Sequence, residues 1–230
     1  DIRMYGFRPS IPQNCLPYIS MVLHTCNQNH FYHDAVFFTL FTNKKKGLCM
    51  IQLEHISKKF KKKTVLNDIS YTFETGKIYG IYGINGSGKT MLLRIISGLV
   101  FPTSGSIIIN GKTLHKEISF PDHMGLIIEN MELQPQLTAF ENLEELNKIN
   151  HYATTSDIQD ALRKINLQSN EKVKKFSLGM KQKLNIAQAI FENPRLLLLD
   201  EPTNALDSDA IGRLKDILED LKKKNSCIII

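Results

Sequence analysis

The stretch Gly83-Ile84-Asn85-Gly86-Ser87-Gly88-Lys89-Thr90 fits the spacing GxxxxGK[ST], and its reading decides the fold class. It follows the apolar run Ile78-Tyr79-Gly80-Ile81-Tyr82 and precedes Met91-Leu92-Leu93-Arg94-Ile95-Ile96, so a strand hands over to a helix here. In that context loop N–H groups wrap a polyphosphate at a helix N-terminus. The glycines let those donors converge without a Cβ in the way. Gly83, Ile84, Asn85, Gly86, Ser87 and Gly88 are the expected cradle, Lys89 the point charge for the β- and γ-phosphates, and Thr90 the hydroxyl offered to Mg²⁺. The competing reading, a glycine-rich turn that happens to end in Gly-Lys-Thr, is disfavoured by the strand and helix on either side. The expectation is a nucleoside triphosphate site.

A second chemical segment is Leu196-Leu197-Leu198-Leu199-Asp200-Glu201. An apolar run ending in two acids sets carboxylates at the C-terminal edge of a sheet, beside the P-loop in this class of fold. Asp200 is placed to hold Mg²⁺ through water and Glu201 to polarise an attacking water. Alone, the run is a strand with a polar end; downstream of a P-loop it reads as catalytic.

Between these segments the elements are legible. Ile51 and Leu53 alternate, Lys61-Lys62-Lys63 turns the chain, and Ile69, Tyr71 and Phe73 alternate again, which predicts an antiparallel pair. The helix after the P-loop carries Leu92, Ile95, Ile96 and Leu99 on one face and stops near Gly98. Ile107-Ile108-Ile109 with Asn110-Gly111 predicts a strand entering a type I′ hairpin. Thr138 with Glu141 and Ser156 with Gln159 read as capping boxes. A helix runs through Lys183 to Ile190, Leu196 to Leu199 is a central strand, and Ile211, Leu214, Leu218 and Leu221 mark the face of a last helix before the strand Cys227 to Ile230.

Composition sets bounds. The chain has 230 residues and a net charge of +6, much of it in lysine clusters at 58–63, where Phe60 is the single aromatic, and at 222–224. Such runs read as solvated loops or helix ends, so no nucleic-acid partner is expected. No run is long enough for a membrane span and no signal-peptide layout is present, so a cytosolic chain is expected. Residues 1–49 differ in character: they hold Cys15, Cys26 and Cys49 and show no clear period. His24, Cys26, His30 and His33 fit no zinc spacing well. Lys44-Lys45-Lys46-Gly47 resembles a translated ribosome-binding site ahead of a start at Met50, so 1–49 is expected to lie outside the working domain of 50–230.

Phe176-Ser177-Leu178-Gly179-Met180-Lys181-Gln182 resembles the signature motif of ABC-type ATPases, and Pro202-Thr203-Asn204-Ala205-Leu206-Asp207 resembles their D-loop segment. The resemblance covers Met50 to Ile230 and implies an α/β fold: a P-loop NTPase (RecA-like) core, an antiparallel β subdomain, and a helical subdomain at about 130–180. It implies ATP and Mg²⁺ as ligands, with Ser177, Leu178, Gly179, Met180 and Lys181 contacting the ATP of a second copy in a head-to-tail homodimer. A separate membrane permease and a place at the cytoplasmic face of the membrane also follow from it. Phe60 is implied as the aromatic on adenine; a core phenylalanine is the other reading. Glu129 stands where the family has a metal-touching glutamine, with Gln134 and Gln136 as other candidates. The segment 127–143 looks like the subgroup linked to bacitracin and lantibiotic self-protection. The family's switch histidine would come past Ile230, so a chain incomplete at its C-terminus is expected to bind ATP and hydrolyse it weakly. A soluble non-transport ABC protein and a nucleotide-binding fragment are the alternatives.

Overall fold

A computed structural model describes residues 37–40, 49–61, 63–128 and 132–230, with backbone alone for 37–40 and 49. The cysteine and histidine candidates at 15, 24, 26, 30 and 33, and Glu129, lie outside the described residues.

Two sheets organise the chain. The first contains β1 (Phe37–Leu40), β4 (Lys77–Tyr82), β9 (Cys227–Ile229), β8 (Leu196–Leu199) and β7 (Met124–Ile127), in that spatial order. β4, β9, β8 and β7 are parallel, so their C-terminal ends open on one edge. β1 pairs antiparallel with β4, which brings four residues of the 1–49 segment into the sheet, a contact its lack of periodicity did not announce. The second sheet is antiparallel: β3 (Lys63–Glu74), β2 (Cys49–Phe60), β5 (Ser104–Ile109) and β6 (Lys112–Thr113). The β5–β6 turn has Asn110 at φ 48° and Gly111 at φ 78°, as a type I′ turn requires.

The four leucines of β8 explain the layering. All are buried. Leu197 and Leu199 face a core built with α2 (Ala139–Asn150), α3 (Thr155–Lys164), α4 (Leu178–Ile190) and α5 (Ser208–Lys223). Leu196 and Leu198 face the other core, made with α1 (Lys89–Ile96) and the antiparallel sheet. A continuous apolar run is what a strand covered on both faces needs. The parallel core, antiparallel sheet and helices of the 130–180 region match the architecture expected from the sequence.

Helix ends follow local chemistry, with two corrections. Thr138 and Glu141 form the expected capping box. The second box is Thr154 with Asp157, two residues earlier than Ser156 with Gln159. The Asp157 carboxylate accepts from both the N–H and the hydroxyl of Thr154, at 2.8 and 2.6 Å, stronger contacts than a neutral amide offers. Leu99 is exposed, because α1 has ended and Gly98 at φ 85° has turned the chain away.

Two measurements check this packing. Gly125 on β7 lies against α4 so closely that an added Cβ would come within 1.9 Å of the Ala189 carbonyl oxygen. Gly125→Ala is expected to cost about 3 kcal/mol or more and lower Tm by roughly 6–12 °C, read by calorimetry. An unchanged Tm would contradict the close approach. The Ala210 N–H donated to Asp207 at the start of α5 holds that carboxyl below the ordinary value. A depressed folded pKa gives stability that is present above the ordinary carboxylate range and lost as pH falls through the folded value. Asp207→Asn keeps the acceptor but not the titration, so its urea midpoint should drop less than the parent's between pH 7 and acid.

Candidate nucleotide site

The edge where the parallel strands end carries the site. The P-loop leaves β4, Asp200 leaves β8, and β9 lies between those two strands. Asp200 is held there by its N–H, which donates to the Ile127 carbonyl at 2.8 Å. Its carboxylate Oδ2 accepts a hydrogen bond from Thr90 Oγ1 at 2.5 Å, joining residues 110 apart in sequence. Two hard oxygen donors in contact fit a small divalent cation, which is commonly held by one or two carboxylates together with substrate phosphates.

Backbone geometry shapes the loop. Gly86 and Gly88 adopt φ 84° and 98°, where L side chains rarely go. At Gly88 a Cβ would also meet the Val65 carbonyl and Leu66, both at 2.9 Å, so the loop is pressed against β3. α1 starts at once, with no side-chain cap on its first turn. Lys89 Nζ donates to the carbonyls of Gly83 and Ile84 at 2.8 and 3.2 Å, closing the loop on itself. The Ser87 hydroxyl is buried and has no hydrogen-bond partner among the described residues. Left-handed backbone at Gly86 and Gly88, a cation resting on weak neutral acceptors and a spare buried hydroxyl suit a polyphosphate.

Glu201 is adjacent but turned. Its φ is 46°, a strained conformation for a non-glycine residue, and of the kind that gathers at functional sites. The side chain is exposed and Oε2 accepts from Asn204 Nδ2 at 2.7 Å. Sequence reasoning did not find Asn204; its place three residues on, inside a turn, was the available signal. Ala205 follows at φ 63°.

Phe60 is no core residue: it ends β2, opposite Lys63, and is 47% exposed. The same hairpin presses Val65 and Leu66 on Gly88, so Phe60 belongs to the structure overlying the P-loop. Gln134 and Gln136 are exposed, and the Gln134 backbone is fastened to the buried Asn142 side chain.

The signature segment sits at the start of α4. Ser177 caps the helix by accepting from the Met180 N–H at 3.2 Å. Leu178 is 72% exposed and Lys181 is exposed, while Gly179 and Met180 are half-buried. Among the described residues no hydrogen bond joins 177–181 to the P-loop. α4 is tied instead to the loop after Glu201: Gln182 Nε2 donates to the Pro202 carbonyl at 2.9 Å, and Lys183 pairs with Asp207 at 3.3 Å. An added Cβ on Gly179 would meet the Ala205 carbonyl at 2.9 Å.

A parallel sheet whose P-loop strand is separated by one strand from an acid-ended strand defines a P-loop nucleoside triphosphatase fold. The family model described as ABC transporter matches residues 66–204, and the chain belongs to that family. It is 58% identical over 183 residues to the ABC transporter ATP-binding protein YybJ of Bacillus subtilis, an alignment covering 79% of this chain and 84% of that protein. It is 39% identical over 185 residues to the lantibiotic transport ATP-binding protein SrtF of Streptococcus pyogenes, covering 79% of each. Against the bacitracin transport ATP-binding protein BcrA of Enterococcus faecalis it is 36% identical over 183 residues, covering 78% of this chain and 59% of that protein. A dimeric bacterial ABC transporter cassette superimposes with a TM-score of 0.67 at 25% identity, covering 78% of this chain and 86% of the cassette. The same cassette in a post-hydrolysis state bound to ADP and Pi gives a TM-score of 0.66. The chain is thus an ABC transporter ATP-binding subunit.

Proposed function

We propose that this chain binds and hydrolyses ATP to drive export of a peptide antibiotic or similar compound, or self-protection against one. The contact of Thr90 with Asp200, beside Glu201, is the observation that carries the chemistry. The relatives named for lantibiotic and bacitracin transport support the substrate class and speak against a non-transport ATPase.

In this reading residues 83–88 cradle the phosphates through backbone donors. Lys89 leaves the Gly83 and Ile84 carbonyls for the β- and γ-phosphates, a stronger, charge-assisted partner. Thr90 and Asp200, with Glu129 as a further oxygen ligand, would hold Mg²⁺, which when bound offsets the phosphate charge. Phe60 stacks on the base. Glu201 takes the proton of the water whose oxygen attacks the γ-phosphorus, while the bond to the β–γ bridging oxygen breaks and ADP and phosphate leave. For this, Glu201 turns a carboxylate oxygen from its place beside Asn204 toward that water.

The dimeric cassette supports a pair of copies; in this reading they meet head-to-tail, with Ser177, Leu178, Gly179, Met180 and Lys181 of one copy covering the ATP held by the other. The exposed start of α4 suits that role, and its ties to residues 202–207 carry closure to the loop that bears Glu201. No helix among the described residues is long and apolar enough to cross a membrane. In this reading a separate permease spans the membrane, and this chain sits against it at the cytoplasmic face.

Two variants separate binding from chemistry. Lys89→Ala is expected to weaken ATP binding, measured by fluorescent-analogue titration, by about two orders of magnitude, the worth of a lost charged hydrogen bond. Undiminished affinity would remove the P-loop assignment. Glu201→Gln keeps an acceptor for Asn204 but not the base, so phosphate release should fall by about 10²–10⁴-fold with ATP affinity retained. Turnover at the parental rate would place the base elsewhere.

A further inference from the structure

The Phe60 ring does not stand alone at its hairpin tip. Lys58 lies two residues earlier on the same face of β2, and its Nζ sits 5.0 Å from the Phe60 ring centroid. The same ammonium donates to the Phe101 carbonyl at 2.7 Å. Phe101 belongs to the connection between α1 and β5, and that connection grips this end of β2 twice more. The Lys59 N–H donates to Thr103 Oγ1 at 2.9 Å, and the Thr103 N–H donates to the Ser57 carbonyl at 2.8 Å. Leu66, which faces Lys58 in the β2–β3 register, is one of the residues pressed on Gly88 of the P-loop.

We propose that Lys58 is a positioning residue for the nucleobase, acting through Phe60. Its ammonium, anchored on the Phe101 carbonyl, occupies one face of the ring and leaves the other for the base. Two physical effects follow. The anchored cation fixes the ring's place relative to the P-loop, because the segment that holds Lys58 continues directly from α1. The cation also draws ring electron density toward itself, making the free face less negative and a better stacking partner for an electron-rich purine. The inference rests on the reading of Phe60 as the base platform, and it adds a residue that neither the sequence motifs nor the family resemblance marks.

The test is calorimetric titration of the whole chain with ATP and, separately, with inorganic tripolyphosphate, both with Mg²⁺. Lys58→Met, nearly isosteric and neutral, should weaken ATP binding about two- to fivefold, the range of an exposed cation–ring contact, and leave tripolyphosphate unchanged. Lys58→Arg keeps the cation and the donor and should restore parental ATP affinity. In a Phe60→Leu background, Lys58→Met should cost nothing further. Equal losses for ATP and tripolyphosphate would overturn the proposal in favour of a scaffold role, as would a loss that persists in the Phe60→Leu background. If Phe60→Leu weakens ATP and Lys58→Met does not, the Lys58 assignment alone falls. Parental ATP affinity in Phe60→Leu would overturn the stacking reading itself, and Lys58 with it.

Discussion

The hydrogen bond from Thr90 to Asp200, 2.5 Å across a gap of 110 residues, is the contact on which the account depends. It forms only if β4 and β8 run parallel, one strand apart, with their ends level. The registers that pair Tyr79 with Ile229, and Ile229 with Leu198, provide that alignment. The alignment in turn needs β8 to be apolar on both faces, since its alternate leucines enter two different cores. A polar residue at any of the four would be buried without a partner, at a cost of about 1–3 kcal/mol. The chemistry at the sheet edge is therefore underwritten by packing well below it.

Around that fixed contact, several groups rest on partners that a substrate would replace. Lys89 lies on two neutral carbonyls, and Glu201 is held by Asn204 from a left-handed backbone. Strain of this kind, of order 1–3 kcal/mol per residue, persists only when the surroundings impose it. Here the surroundings are the 202–207 loop and its ties to α4 through Gln182 and Lys183. The proposed trans contact and the proposed base thus share one short, strained connection, a physical route by which closure of two copies reaches the chemistry.

Much of this was legible from sequence because its causes are local. GxxxxGK[ST] is a demand for positive φ and free N–H groups; four leucines before two acids are a doubly covered strand with a charged end; Asn110-Gly111 is a turn with both residues at positive φ. What escaped was contact between distant or competing groups. The frames Thr154–Asp157 and Ser156–Gln159 look alike in sequence, and the one with the carboxylate won. Leu99 keeps the helical period although the helix has already stopped. The grip of Lys58 on Phe101, the bond from Asn204 to Glu201 and the pairing of Phe37–Leu40 with β4 leave no periodic trace.

The most direct measurement is a crystal structure of this chain with a non-hydrolysable ATP analogue and Mn²⁺ in place of Mg²⁺, the metal located by its anomalous signal. The account predicts the metal beside Thr90 Oγ1 and Asp200, with the direct bond between them opened to admit it. It also predicts Lys89 Nζ transferred from the Gly83 and Ile84 carbonyls to the β- and γ-phosphates. A metal remote from Thr90 and Asp200, or a triphosphate bound while Lys89 stays on its own loop, would contradict it.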